Sequence, residues 1–203
     1  MLEPSRLILA SGSRARYEIL KAAGLSFTVD PADVDETSVR EALLTDNPEI
    51  DPVDVADVLA RVKGETVSAS NPDNLIVAAD QVLALDSEIF AKPKNMDEAR
   101  EALLRLRGKT HQLHSAVVLA ENGEVTWAHV DTAYLTMRDF SIPFLAEYLV
   151  KAGDAVCQSV GAYQLEGLGI QLFESIEGDY FTILGLPLLP LLTELRQRDV
   201  LTS

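Results

Sequence analysis

The hydrophobic pattern of the chain alternates between short apolar runs and longer amphipathic segments. Leu7–Ala10 and Leu75–Ala79 are apolar runs of strand length, and the second continues through Asp80 to Leu85. In Arg14–Ala23 and Val53–Ala69 apolar residues recur at helical spacing, which predicts two helices. Strand and helix thus alternate along the first half of the chain, as in mixed α/β proteins.

The second half predicts a hairpin and further helices. Asn122-Gly123, a strong hairpin signal, separates the strand-like runs His111–Ala120 and Val125–Met137. Helices are predicted at Asp97–Arg107, Ser141–Val150 and Leu188–Arg198, short strands at Phe27–Val29 and Ile170–Ile176, and loops at Asp30–Pro52 and Gly161–Gly169. We expect an α/β fold with two lobes around a central mixed sheet and a cleft between them. No linker interrupts residues 1–203, so they are predicted to form a single domain.

Composition and charge narrow the class of protein. The 203 residues are 47% hydrophobic and 24% charged, which is ordinary for a globular protein. The formal net charge of −15 argues against non-specific binding to nucleic acid or to an anionic membrane. A phosphorylated ligand would have to be bound by a few placed cations, helped by a divalent metal. The single cysteine, Cys157, permits no intramolecular disulfide and favours a reducing cytosol.

The first candidate site is Ser11-Gly12-Ser13, between a predicted strand and a predicted helix. Small residues at such a corner let a phosphate approach the N–H groups of the helix N-terminus. Ser13 also suits helix capping, and these residues by themselves favour capping alone. Arg14 and Arg16 add cations, but two positions apart on a helix they point in different directions. At most one of them is therefore expected to face a ligand.

Charged residues near other strands form a second group of candidates. Asp80 directly follows an apolar strand, where a carboxylate is costly to bury unless it is paired or bound to metal. The alternative for Asp80 is a turn aspartate held by hydrogen bonds. Asp35-Glu36 could supply a metal–phosphate site, because Mg²⁺ takes one or two carboxylates plus phosphate oxygens. Most such acidic pairs are only solvated, and Lys92 before Pro93 would ordinarily be a surface lysine.

These pieces occur in an order that resembles the Maf family of nucleoside triphosphate pyrophosphatases. The resemblance runs from about Leu7 to about Leu195, and the ordered set is far more specific than any one motif. Its members are Leu9-Ala10-Ser11-Gly12-Ser13, Arg16, Glu18-Ile19-Leu20, Asp35-Glu36, Lys63, Asp80, Lys92-Pro93, Leu106-Arg107-Gly108-Lys109-Thr110-His111, Gly161-Ala162-Tyr163 and Gly185-Leu186-Pro187-Leu188.

The resemblance implies a two-lobed α/β fold akin to the inosine triphosphate pyrophosphatases, and a cytoplasmic, homodimeric enzyme. Such an enzyme is a hydrolase acting on acid anhydrides, and it cleaves a nucleoside triphosphate to the monophosphate and pyrophosphate with Mg²⁺ or Mn²⁺. Carried over residue by residue, the phosphate-binding set is Ser11, Ser13, Arg16, Lys63 and Lys92. Glu36 and Asp80 match the acidic pair that would hold the metal, and Asp80 matches the proton acceptor.

Three positions where the family separates its substrate groups are Ala15, Gln81 and Glu166. Asp80-Gln81 together with Glu166-Gly167-Leu168-Gly169 is similar to the subgroup that hydrolyses 7-methyl-GTP, rather than to the dTTP/UTP subgroup. A carboxylate at Glu166 could accept from the N1–H and N2–H of 7-methylguanine and favour its positive charge. Ala15 departs from both subgroups, which have a bulky residue at this position.

Three alternatives stay open at this point. The substrate could be dTTP or UTP. The protein could instead be a nucleotide-binding regulator of cell division with little turnover, since the family has been linked to inhibition of septum formation. A Rossmann-type dehydrogenase would need a three-glycine fingerprint, which Ser11-Gly12-Ser13 does not supply.

Overall fold

The computed structural model describes residues 6–202. Within this range the helices and strands follow one another as β1 (Leu7–Leu9), α1 (Arg14–Ala22), β2 (Thr28–Val29), α2 (Glu36–Asp46), α3 (Pro52–Ser70), β3 (Leu75–Leu85), β4 (Glu88–Phe90), α4 (Met96–Leu106), β5 (Thr110–Glu121), β6 (Glu124–Met137), α5 (Ile142–Ala152), β7 (Phe173–Glu177), α6 (Tyr180–Ile183) and α7 (Leu188–Gln197). Short 3₁₀ segments lie between α5 and β7. No helix in residues 6–202 combines the length and apolar character needed to cross a membrane.

The strands form one mixed seven-stranded sheet. Its order is β2-β1-β3-β5-β6-β7, and β4 pairs with β3. β1 is parallel to both β2 and β3, whereas the β3–β4 and β6–β7 pairs are antiparallel. The prediction of an α/β fold with a mixed sheet is confirmed.

The chain forms two compact units. The first comprises residues 6–81, 114–131 and 179–202, and the second comprises residues 82–113 and 132–178. The core of the first unit joins β1, α1 and α7 through side chains such as Leu9, Leu20 and Leu191. In the second unit, Leu103 on α4 and Leu145 on α5 are among the buried side chains.

Strand β3 places side chains alternately on two faces, and both faces are covered. Val77 and Ala79 belong to the core with α1 and α7. Ala78 points to the other face, where Gly64 of α3 approaches the sheet. A Cβ on Gly64 would lie 2.9 Å from a methyl of Val118 and 3.5 Å from that of Ala78, so a side chain here would push α3 away. This close packing brings Lys63 beside Asp80.

Two predicted segments differ from the observed structure. Asp30–Pro52 was expected to be a loop, but it contains α2, in which Val39, Ala42 and Leu43 recur at helical spacing although no residue is buried. The strand expected at Ile170–Ile176 begins only at Phe173, after a 3₁₀ turn at Leu168–Leu172.

Candidate active site

Two predicted site carboxylates converge on one ammonium group. Lys63 on α3 places its Nζ 2.5 Å from Oδ1 of Asp80 and 2.8 Å from Oε1 of Glu36, the first residue of α2. The side chains of Lys63 and Asp80 are 9% and 7% exposed, whereas that of Glu36 is 41% exposed. The sequence grouped these residues only through the family resemblance, and the structure brings them into contact within the first unit.

Burial dominates the electrostatics of Asp80. Loss of solvent raises the pKa of its carboxyl above the usual aspartate value. The positive charges of Lys63 and Arg16 act in the opposite direction, and the negative charge of Glu36 adds to the increase. A carboxylate with a raised pKa is a better proton acceptor than a free aspartate at neutral pH.

The donor set of this cluster fits the implied divalent cation. Glu36 and Asp80 present oxygen atoms to one position, where the ammonium group of Lys63 lies. Two carboxylates completed by phosphate oxygens are a typical set of ligands for Mg²⁺. Within residues 6–202 no group of three or more His, Cys, Asp and Glu side chains is placed to hold a metal.

Ser13 and Ser11 form the corner between β1 and α1. Ser13 is the N-cap of α1, and its side chain accepts from the backbone N–H of Arg16 at 3.4 Å. The hydroxyl of Ser11 accepts from the backbone N–H of Ser13 at 3.3 Å. Ser13 therefore caps the helix, and its role toward a phosphate stays a prediction.

Arg16 is the buried arginine of α1, and Arg14 is exposed. Its Nε donates to the carbonyl of Gly185 at 2.7 Å, and its Nη1 donates to the carbonyl of Ala79 at 2.8 Å and to the hydroxyl of Ser11 at 3.0 Å. No residue in 6–202 accepts a hydrogen bond from Nη2 of Arg16. Arg16 thus ties three segments of the first unit together while leaving one nitrogen for a ligand.

Gln81 lies on the opposite face of β3 from Asp80. Its Nε2 donates to Ser115 Oγ at 2.9 Å and to the carbonyls of Thr182 and Ile183 at 3.1 and 3.0 Å. Sequence reasoning identified Gln81 but missed Ser115 and Thr182. The sequence could have indicated Ser115, because its hydroxyl directly precedes the apolar run of β5.

The remaining three predicted site residues make no contact described above with the Lys63 cluster or with Gln81. Lys92 follows β4 and is exposed, and Glu166 is exposed in a turn of the second unit. Ala15 is half-buried in the first turn of α1. Their roles toward a ligand stay predictions.

The chain is similar to a known protein family and to several individual proteins. The Maf-like protein family matches residues 6–198. The 7-methyl-GTP pyrophosphatase of Brucella abortus is 51% identical over 192 residues, which cover 95% of this chain and 96% of the relative. That of Mesorhizobium japonicum is 53% identical over 191 residues, covering 94% and 95% respectively. The nucleoside triphosphate pyrophosphatase of Paramagnetospirillum magneticum is 52% identical over 194 residues, covering 96% and 99%.

The chain therefore belongs to the Maf-like protein family. This confirms the resemblance drawn from the ordered motifs.

Proposed function

We propose that this protein hydrolyses 7-methyl-GTP to 7-methyl-GMP and pyrophosphate. It is a nucleoside triphosphate pyrophosphatase, a hydrolase acting on an acid anhydride. The observation that carries the proposal is the convergence of Glu36 and Asp80 on Lys63 at one position, in a chain about half identical to 7-methyl-GTP pyrophosphatases.

Asp80 is the proton acceptor in the proposed reaction. A water oxygen attacks the α-phosphorus, its proton passes to the Asp80 carboxylate, and the bond from the α-phosphorus to the bridging oxygen of the β-phosphate breaks. Pyrophosphate leaves with the electron pair of that bond. A divalent cation held by Glu36 and Asp80 would neutralise phosphate charge and lower the pKa of a bound water.

Cationic and hydroxyl groups of the chain bind the triphosphate. The free Nη2 of Arg16 and the ammonium of Lys63 offer N–H donors in the first unit, with Ser11 and Ser13 at the N-terminus of α1. The family resemblance adds Lys92, which follows β4, as a further phosphate ligand. Because the charge on the leaving group rises during cleavage, these donors stabilise the transition state more than the bound substrate.

The base is recognised by Ala15, Gln81 and Glu166. 7-Methylguanine carries a delocalised positive charge and presents the N1–H and N2–H donors. The exposed Glu166 carboxylate can accept from both donors and favours the cationic base. Ala15 places a small side chain in the first turn of α1, where the related subgroups carry a bulky residue.

Assembly as a homodimer and a cytoplasmic location are part of the same proposal, and both derive from the family resemblance. Light scattering coupled to size-exclusion chromatography would test the dimer. A mass near twice 22.1 kDa supports it, and a mass near 22.1 kDa contradicts it.

A nucleotide panel read by pyrophosphate release tests the substrate. With Mg²⁺ or Mn²⁺ present, kcat/KM should be highest for 7-methyl-GTP among 7-methyl-GTP, GTP, dTTP, UTP and ATP. A higher value for dTTP or UTP would replace the proposed substrate with that of the other subgroup. Tight nucleotide binding without pyrophosphate release would instead support a binding regulator.

A further inference from the structure

The carboxamide of Gln81 is held in one orientation by three oxygens of the first unit. Two of them are the backbone carbonyls of Thr182 and Ile183, and the third is the hydroxyl of Ser115. Ser115 donates its own proton to the carbonyl of Thr182 at 2.7 Å, so it can only accept from Gln81. The two hydrogens of the Gln81 NH₂ group are shared among these three acceptors, so the amide nitrogen must face them.

A flipped carboxamide would be strongly disfavoured. It would place Oε1 of Gln81 against two carbonyl oxygens and a hydroxyl lone pair. Ser115 is fully buried and Thr182 almost so, which means that water cannot relieve this arrangement. The hydrogen bonds therefore fix which end of the amide faces outward.

The outward end is an unused acceptor beside an unused donor. No group in residues 6–202 donates a hydrogen bond to Oε1 of Gln81. A Cβ on Gly185 would lie 3.3 Å from Nη2 of Arg16 and 3.7 Å from Cδ of Gln81, so these two side chains flank the same glycine. One edge of the first unit hence offers both the Arg16 N–H groups, suited to phosphate, and an oriented carbonyl oxygen.

We propose that Ser115 is a positioning residue for nucleotide selection, which acts by holding Gln81 with its Oε1 presented to a donor group of the substrate. This inference rests on the proposed function. Without the Ser115 hydroxyl, the amide nitrogen keeps only the two carbonyl acceptors, and Oε1 is held less tightly in its position.

The test compares the ratio of kcat/KM for 7-methyl-GTP over dTTP among variants. Ser115→Ala should lower this ratio by about threefold to tenfold, the effect of one net hydrogen bond. Ser115→Thr, which keeps the hydroxyl, should have the same ratio as the wild type. Ser68→Ala is the matched control, because Ser68 is also fully buried in the first unit and its hydroxyl bonds the backbone of Glu65 and Gly123 instead.

A double-mutant cycle separates positioning from general damage to the fold. In a Gln81→Ala background, Ser115→Ala should leave the ratio unchanged within about twofold, because the group through which it acts is gone. The inference is overturned if Ser115→Ala changes the ratio equally in both backgrounds, or if Ser68→Ala changes it as much. Failure of the wild type to release pyrophosphate from any nucleotide would overturn the proposed function instead.

Hydrogen exchange of the Gln81 side-chain amide gives a reading independent of activity. Its protons should exchange slowly in the wild type and at least about tenfold faster in Ser115→Ala, while backbone amides of β1 stay protected. Equal exchange in the two proteins would contradict the proposed anchoring.

Discussion

Replacing Lys63 by methionine tests the carboxylate pair most sharply, because it removes the charge and keeps the length of the side chain. Lys63 and Asp80 are both almost fully buried, so the change leaves a buried carboxylate without its nearest cation. Breaking a buried ion pair from one side costs about 3–5 kcal/mol of unfolding free energy. For a chain of this size, that lowers the melting temperature by about 6–20 °C.

A divalent cation should return much of this stability. With Lys63 gone, Glu36 and Asp80 face a position without a resident cation. A ligand at one hundred times its dissociation constant stabilises the native state by about 2.7 kcal/mol. Titrating Mg²⁺ or Mn²⁺ during thermal unfolding should therefore raise the melting temperature of Lys63→Met more than that of the wild type.

Arg61→Met is the matched control, since Arg61 lies on the same helix and pairs with Asp57 at 2.7 Å on a partly exposed surface. That pair is worth only about 0.3–0.5 kcal/mol. The reasoning is refuted if Lys63→Met is no less stable than Arg61→Met, or if the metal raises the melting temperatures of Lys63→Met and the wild type equally.

Three further predictions follow from other parts of the structure. Gly185→Ala, at φ +91° with Arg16 Nη2 3.3 Å from the new Cβ, should lower the unfolding free energy by about 1–2 kcal/mol from backbone strain and also reduce kcat/KM. Gly153→Ala, at φ +59° in open space, should lose stability alone, and equal loss of kcat/KM in both variants would contradict the role of Gly185. Because the pKa of Asp80 is raised, kcat/KM should begin to fall on the acid side at a pH above about 4, the usual aspartate value. A fall that begins only at or below about pH 4 would contradict the role of Asp80 as proton acceptor. Burial lowers the pKa of His111 to about 4, so the folded state resists protonation and stability falls as the pH drops from about 6.5 towards 4. Between pH 7 and pH 4.5, the unfolding free energy measured with urea should fall by about 2.5 kcal/mol less in His111→Gln than in the wild type. An equal fall in both proteins would exclude a contribution of His111 to the pH dependence of stability.

The local hydrophobic pattern was enough to predict much of the fold and to identify Asp80 as a candidate site residue. The apolar run of β3 is buried on both faces, and Asp80 interrupts it in the middle of the strand rather than following it. A carboxylate buried there is costly unless it is paired. By contrast, α2 has no buried side chain, and its local signals were weak. One was the short spacing of Val39, Ala42 and Leu43, and the other was Asp35, whose side chain accepts from the backbone N–H of Ser38 at 3.1 Å. Prolines on either side of this segment made a loop the natural expectation.

Contacts between distant segments could not be predicted. Gln81 is separated by 34 residues from Ser115 and by 101 from Thr182, and nothing in the local sequence of any of them indicates the others. Likewise, the sequence indicated that Arg14 and Arg16 point in different directions, but only the packed structure shows which one is buried. Gly185 was recognised within a motif, yet its close approach to Arg16 arises from the folding of α6 against α1 and β3.

Product analysis of 7-methyl-GTP hydrolysis in ¹⁸O-enriched water, with the wild type and Asp80→Asn, tests the central claim most directly. The account predicts one pyrophosphate and one ¹⁸O-labelled 7-methyl-GMP per turnover for the wild type, and a rate at least about 100-fold lower for Asp80→Asn. Release of orthophosphate, label in the pyrophosphate, or Asp80→Asn activity within about threefold of the wild type would contradict it.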